Sequence, residues 1–145
     1  MNKINLTIIL ILLTTFFNFT FGQSIRTDSI EFCGRHFIAP NSCEIIGNMI
    51  KCSNYVFTWT YAPTTDLPRH RKELLAQTKS PKKIKVVIDN NDIDGYLSKT
   101  GTYSQLLIIG VVNGQGVIIN LWLDKQIKST DDLPEYVKQL ISIRS

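Results

Sequence analysis

The chain has 145 residues, 43% hydrophobic, 19% charged and 10% aromatic, with 16 Lys and Arg against 12 Asp and Glu for a formal net charge of +4. These values fit one globular domain and exclude a multidomain enzyme with separate cofactor and substrate halves, and equally a disordered tail or low-complexity linker. So small a net charge is no argument for nucleic acid.

Residues 1–22 hold Lys3, an apolar stretch from Ile4 to Phe21, and the small Gly22 ahead of Gln23. A short basic start, an apolar middle and a small residue at the cut are the features of a signal peptide. A retained anchor is the competing reading. Against it, Thr14, Thr15, Asn18 and Thr20 leave the stretch short of the about 20 mostly apolar residues that span a bilayer. The expectation is an exported protein, periplasmic or secreted, with one domain from Gln23 to Ser145 and no stable membrane span after cleavage. Cys33 lies too far downstream of the cut to carry a lipid anchor.

Ile30 to Pro40 reads as a strand, or a bent pair of strands broken near Gly34. Cys33-Gly34-Arg35-His36 is the nearest approach to a nucleophile with a base, the constellation a small thiol enzyme or hydrolase needs. On a straight strand Cys33 and His36 point to opposite faces, so a turn at Gly34 is required. In the oxidising compartment that export implies, Cys33, Cys43 and Cys52 are read first as disulfide partners. Gly47 suits the first central place of a two-residue type II′ turn, which pairs Ile46 with Met49, Ile45 with Ile50, Glu44 with Lys51 and Cys43 with Cys52. Counting outward, Cys43 and Cys52 fall on a non-hydrogen-bonded pair, close enough for a bridge. This favours Cys43–Cys52 over either pairing with Cys33.

Tyr55, Phe57, Trp59 and Tyr61 then alternate with small or polar residues, giving a strand with an aromatic core face. Pro63 to Pro68 ends it. Thr65 or Asp66 is an N-cap and Pro68 sits in the first turn of a helix reaching about Lys79, with Leu67, Leu74, Leu75 and Thr78 inward. Seven basic residues, Arg69, Arg71, Lys72, Lys79, Lys82, Lys83 and Lys85, crowd this region against Glu73 alone, which leaves the rest of the chain net acidic. A solvated helix face, a site for an acidic protein and a site for an anionic surface are the available readings. Nucleic acid ranks last because no aromatic residue is interleaved with the charges.

Lys83 to Asp89 alternates with Ile84, Val86 and Ile88 inward, and a second strand covers Ile93 to Lys99. Between them Asn90, Asp92, Asp94 and Gly95 match the first half of a calcium loop, but its twelfth position is Gly101 rather than Glu, so an acidic turn is expected and no metal site. His36 and His70 are the only histidines, and no zinc-ligand spacing or phosphate loop is present. Leu106 to Val112 and Val117 to Leu123 form a hairpin with Gly114 in the first central place of another type II′ turn. Both its faces are apolar, so these strands belong at the centre of the sheet. Trp122 shares a face with Leu107, Ile109, Val111 and Ile118; the favoured cover is the N-terminal strands, and the alternative is a partner protein. The last helix starts at Asp131 or Asp132, has Pro134 in its first turn and buries Leu133, Val137, Leu140 and Ile141. It echoes Asp66-Leu67-Pro68 at an offset of 66 residues, which shared helix-start chemistry accounts for.

The expected fold is α+β, an antiparallel sheet of about six strands with two packed helices in the order β-hairpins, helix, four strands, helix. With the aromatic strand Tyr55 to Tyr61 and the capped helices, this order resembles the Mog1/PsbP-like fold and its DcrB-type exported proteins over about Ile30 to Ile143. The resemblance implies a small non-catalytic protein that docks to another protein; no family site residue carries over. The expected function is thus an exported binding protein without cofactor, an envelope accessory or cognate-toxin inhibitor. Its candidate contact residues are Arg69, Arg71, Lys72, Lys79, Lys82, Lys83 and Trp122. Enzymatic use of Cys33, or anionic-surface binding through the basic helix, is the alternative.

Overall fold

The computed structural model describes Ser29–Arg144. The expected signal peptide, residues 1–22, lies outside the described residues. In chain order the elements are β1 (Ser29–Phe32), β2 (Arg35–Ile38), β3 (Glu44–Ile46), β4 (Met49–Lys51), β5 (Tyr55–Ala62), α1 (Leu67–Gln77), β6 (Lys82–Ile88), β7 (Asn91–Thr100), β8 (Tyr103–Val112), β9 (Gln115–Leu123), α2 (Glu135–Leu140) and β10 (Ser142–Arg144). The fold is α+β. An antiparallel sheet in the order β10-β6-β7-β8-β9-β5-β4-β3 forms the frame, and β1 and β2 make a separate hairpin. The expected six or so strands in the sheet are eight, and a short strand follows the last helix. β10 has three residues, too few for alternation to mark it in sequence.

Tight turns set the registers. In the outer hairpin Glu44 pairs with Lys51, Ile45 with Ile50 and Ile46 with Met49 as expected, about Gly47 at φ 52°. Cys43 and Cys52 form a disulfide with Cα atoms 4.4 Å apart, the close approach of a non-hydrogen-bonded pair. The β8–β9 turn differs from the expected one. Val112 pairs with Gln115, so Asn113 and Gly114 are the central residues, at φ 49° and 82°. Two left-handed residues make a type I′ turn, for which Asn-Gly is the preferred pair. The turn centre moves by one residue and the pairing by two, so every side chain keeps its face.

The first face of the sheet carries the main core. Phe57, Trp59, Leu106, Ile108, Ile119 and Leu121 are buried there beneath the β1–β2 hairpin and the segment from Ile127 to Ile141. Phe32 of β1 meets Phe57 and Trp59 edge to face, with ring centroids 5.6 and 5.7 Å apart. Leu133, Val137, Leu140 and Ile141 are buried as anticipated, but the helix start is not at Asp131 or Asp132. Asp132 accepts backbone hydrogen bonds from Lys128 and Ser129 and closes a separate 3-10 turn, Thr130–Asp132. Leu133 is extended at ψ 149°, whereas its counterpart Leu67 is helical at ψ −40°. The echoed sequences therefore take different conformations.

On the second face, α1 seats Leu67, Leu74 and Leu75 on Tyr96, Leu107 and Ile109. Arg71 donates to the carbonyl of Ile109 at 3.1 Å. Two helices thus occupy opposite faces. The expected covering of Trp122 by the N-terminal strands does not occur, because β1 uses Ile30 and Phe32, and β2 Phe37, to close the first face.

Close backbone approach singles out Gly116 of β9. A Cβ there would meet the carbonyl of Ala62, its cross-strand partner, whereas a Cβ on Gly101 in the β7–β8 turn meets nothing within 4 Å. Gly116→Ala is therefore expected to lower unfolding stability by about 2 to 3 kcal/mol. Gly101→Ala, at φ 64°, should cost about 1 kcal/mol of conformational strain. Urea denaturation of both variants checks the order.

Candidate functional site

Because α1 covers only part of the second face, the part built by β3, β4, β5, β9 and the start of β8 stays open. Register places Val56, Trp122 and Gln105 in one row across it, and Ile46, Met49, Thr58 and Asn120 in the next. Trp122 is 41% exposed, Tyr103 55% and Ile46 52%. A groove of about 340 Å³ runs beside Val56, Trp122 and Tyr103 and has Lys51 and Asp124 in its lining. Gln105 donates to the Asn120 side chain at 3.0 Å and Thr58 to the Asn120 carbonyl at 3.4 Å. The polar side chains between the apolar ones are thus partly held by one another.

The basic residues of the α1–β6 region do not form one surface. Arg69 pairs with Asp66 and Glu73 at 3.8 and 3.4 Å, and Arg71 is half-buried on the sheet. Lys83 and Lys85 both reach Asp94, at 2.8 and 2.7 Å. Lys72, Lys79 and Lys82 are exposed and form no ion pair among the described residues. The acidic segment lies on a strand: Asp92 pairs with Arg144 at 2.7 Å, and Asp89 and Asn90 form the β6–β7 turn at φ 47° and 64°. Tyr103 and Ile46 escaped sequence reading. Gly101, at φ 64°, was the available signal for Tyr103, since a two-residue turn there returns the chain with Tyr103 opposite Thr100.

Cys33 and Gly34 supply the turn that the thiol reading requires, at φ 52° and 77°. The residues do not then converge on a reactive arrangement. Cys33 is buried and its N–H donates to the Tyr61 hydroxyl at 2.8 Å, while His36 is exposed on β2 opposite Glu31. Burial, reinforced by the charge of Asp89, pushes the Cys33 thiol up to about 11, the reverse of what activates a cysteine nucleophile.

The Cys43–Cys52 bridge is compatible with export, and among the described residues no helix is long and apolar enough to cross a membrane. Comparison with protein-family models, with curated proteins and with solved structures finds no match to this chain.

Two measurements follow from these charges. At pH 8 Cys33 should react with a chromogenic disulfide reagent at least about 100-fold more slowly in the native protein than in urea, given its thiolate deficit and burial; comparable rates would return it to consideration as a nucleophile. Hydrogen bonds from Lys83 and Lys85 hold Asp94 down to about 2, against 3.8 ordinarily. A depressed folded-state value stabilises the fold above the unfolded value and loses that contribution as pH falls from about 3.8 towards 2. Asp94→Asn should therefore flatten the stability profile across that window and leave the slope above pH 5 unchanged.

Proposed function

We propose that this protein is an exported, non-enzymatic binding protein that docks another protein on the open part of its sheet, as an envelope accessory or as the inhibitor of a cognate toxin. The observation that carries the reading is the pair of exposed aromatic residues, Trp122 and Tyr103, beside a groove that neither helix nor the β1–β2 hairpin covers. Trp and Tyr dominate binding energy at protein interfaces because each removes a large apolar area from water with few rotamers to freeze. The fitting partner inserts an apolar side chain into the groove and meets Lys51 and Asp124 with charges of opposite sign. The disulfide supports an oxidising location, and the element order that resembles the Mog1/PsbP-like fold points the same way. The raised Cys33 thiol weighs against the thiol-enzyme alternative.

The test immobilises protein produced from the full sequence, exposes it to envelope and secreted fractions of its source, and compares it with Trp122→Ala and Tyr103→Ala. A captured protein whose affinity falls about tenfold or more in Trp122→Ala, as a central aromatic anchor requires, supports the reading. Its binding should also shift the emission of Trp122 and not that of buried Trp59. Capture that is indifferent to both substitutions, or no capture, overturns it.

A further inference from the structure

We infer a second site, independent of the open sheet face, that takes a ligand bearing a phosphate or sulfate group where the α1–β6 connection crosses the end of β7. A groove of about 350 Å³ is lined there by Lys79 and Ser80 of the connection, Lys82 of β6, and Leu97, Ser98 and Lys99 of β7. No carboxylate is in that lining. Lys79 and Lys82 belong to the basic run, whereas Lys99 comes from a distant part of the sequence. The antiparallel pairing of Lys82 with Leu97 brings them together, and Ser80, left-handed at φ 47°, turns the chain between the first two.

What distinguishes these lysines from their neighbours is compensation. Successive side chains of a strand point to opposite faces, so Lys83 and Lys85 share the second face with Asp94 and are tied to it, while Lys82 projects the other way. Lys79, Lys82 and Lys99 have no carboxylate partner among the described residues; Lys99 donates only to the neutral amide oxygen of Gln126, at 3.1 Å. Like charges gathered on one groove repel, and an oxyanion between them removes that cost.

Lysine ammonium groups bind phosphate as point charges and hydroxyls complete the oxygen shell. Leu97 offers an apolar wall for the organic part of an ester. The groove's volume lies at the small end of the range for small-molecule sites, and its lining has no aromatic side chain on which a nucleic-acid base would stack. The ligand chemistry is therefore a phosphate or sulfate monoester, free or as a lipid headgroup.

Isotope-labelled protein produced from the full sequence is titrated with inorganic phosphate at constant ionic strength held by chloride, and its amide resonances are followed. Saturable shifts confined to the Lys79–Lys82 and Leu97–Lys99 segments are expected. Lys82→Gln and Lys99→Gln should each weaken binding about threefold and together about tenfold, with amide dispersion verifying the fold, while Lys83→Gln leaves it within about 1.5-fold. Sedimentation with phosphatidylcholine vesicles, with and without phosphatidic acid, separates the two sources. Retention that requires phosphatidic acid, Lys82 and Lys99 assigns a headgroup, and groove binding without retention assigns a soluble ester. Shifts spread equally over α1 and Arg144, or an affinity unchanged in the Lys82→Gln/Lys99→Gln double variant, overturn the proposal. Failure of Trp122→Ala to abolish protein capture leaves it untouched, because the two sites share no residue.

Discussion

Strand β8 cannot be left wet on either side. Leu106, Leu107, Ile108 and Ile109 follow one another and are all buried, so both faces of the sheet at its centre must be covered, and everything else is arranged around that need. Its ladder partner β9 repeats the pattern with Val117, Ile119 and Leu121 on the first face and Ile118 on the second. Two covers are therefore required. The β1–β2 hairpin and the segment ending in α2 supply one, and α1 supplies the other.

The second cover is too small, and that mismatch creates the candidate docking surface. An α-helix of 11 residues is about 16 Å long, while eight strands spaced by about 4.8 Å are more than twice as wide. A single helix laid on such a sheet leaves part of the face uncovered. Here α1 meets β8 and β9 at Leu107, Ile109 and Ile118, so the far ends of those strands, with Tyr103 and Trp122, stay open, as does the outer hairpin that carries Ile46 and is clamped by the disulfide. A two-stranded hairpin with arms of three residues has little stability of its own; the Cys43–Cys52 bridge and the pairing of β4 with β5 hold it in the plane of the sheet.

Charge is distributed by the same alternation that builds the core. Within β6, Lys83 and Lys85 fall on the face of Asp94, and Lys82 falls on the other, next to Lys79 and Lys99. One basic run in sequence thus divides into a compensated group on the second face and an uncompensated group around a groove. Arg71 leaves the surface altogether and satisfies a sheet carbonyl. Counting charges along the chain overstated the helix as a contact face and missed the groove, since Lys99 reaches it only through strand pairing.

What could be read from the chain alone is local: the Gly47 hairpin and its disulfide, the aromatic core face of Tyr55 to Tyr61, the position of the first helix and the central place of the two-faced apolar strands. Each depends on residues within one turn or one alternation, where propensity, turn chemistry and periodicity act together. Tertiary structure alone decided which face each helix covers, the pairing of β10 with β6, the exposure of Trp122 and the meeting of Lys82 with Lys99. Those outcomes depend on contacts between segments far apart in the chain. An apolar residue such as Trp122 carries the same local signal whether a helix arrives above it or stops, as here, at Ile118 on the same strand.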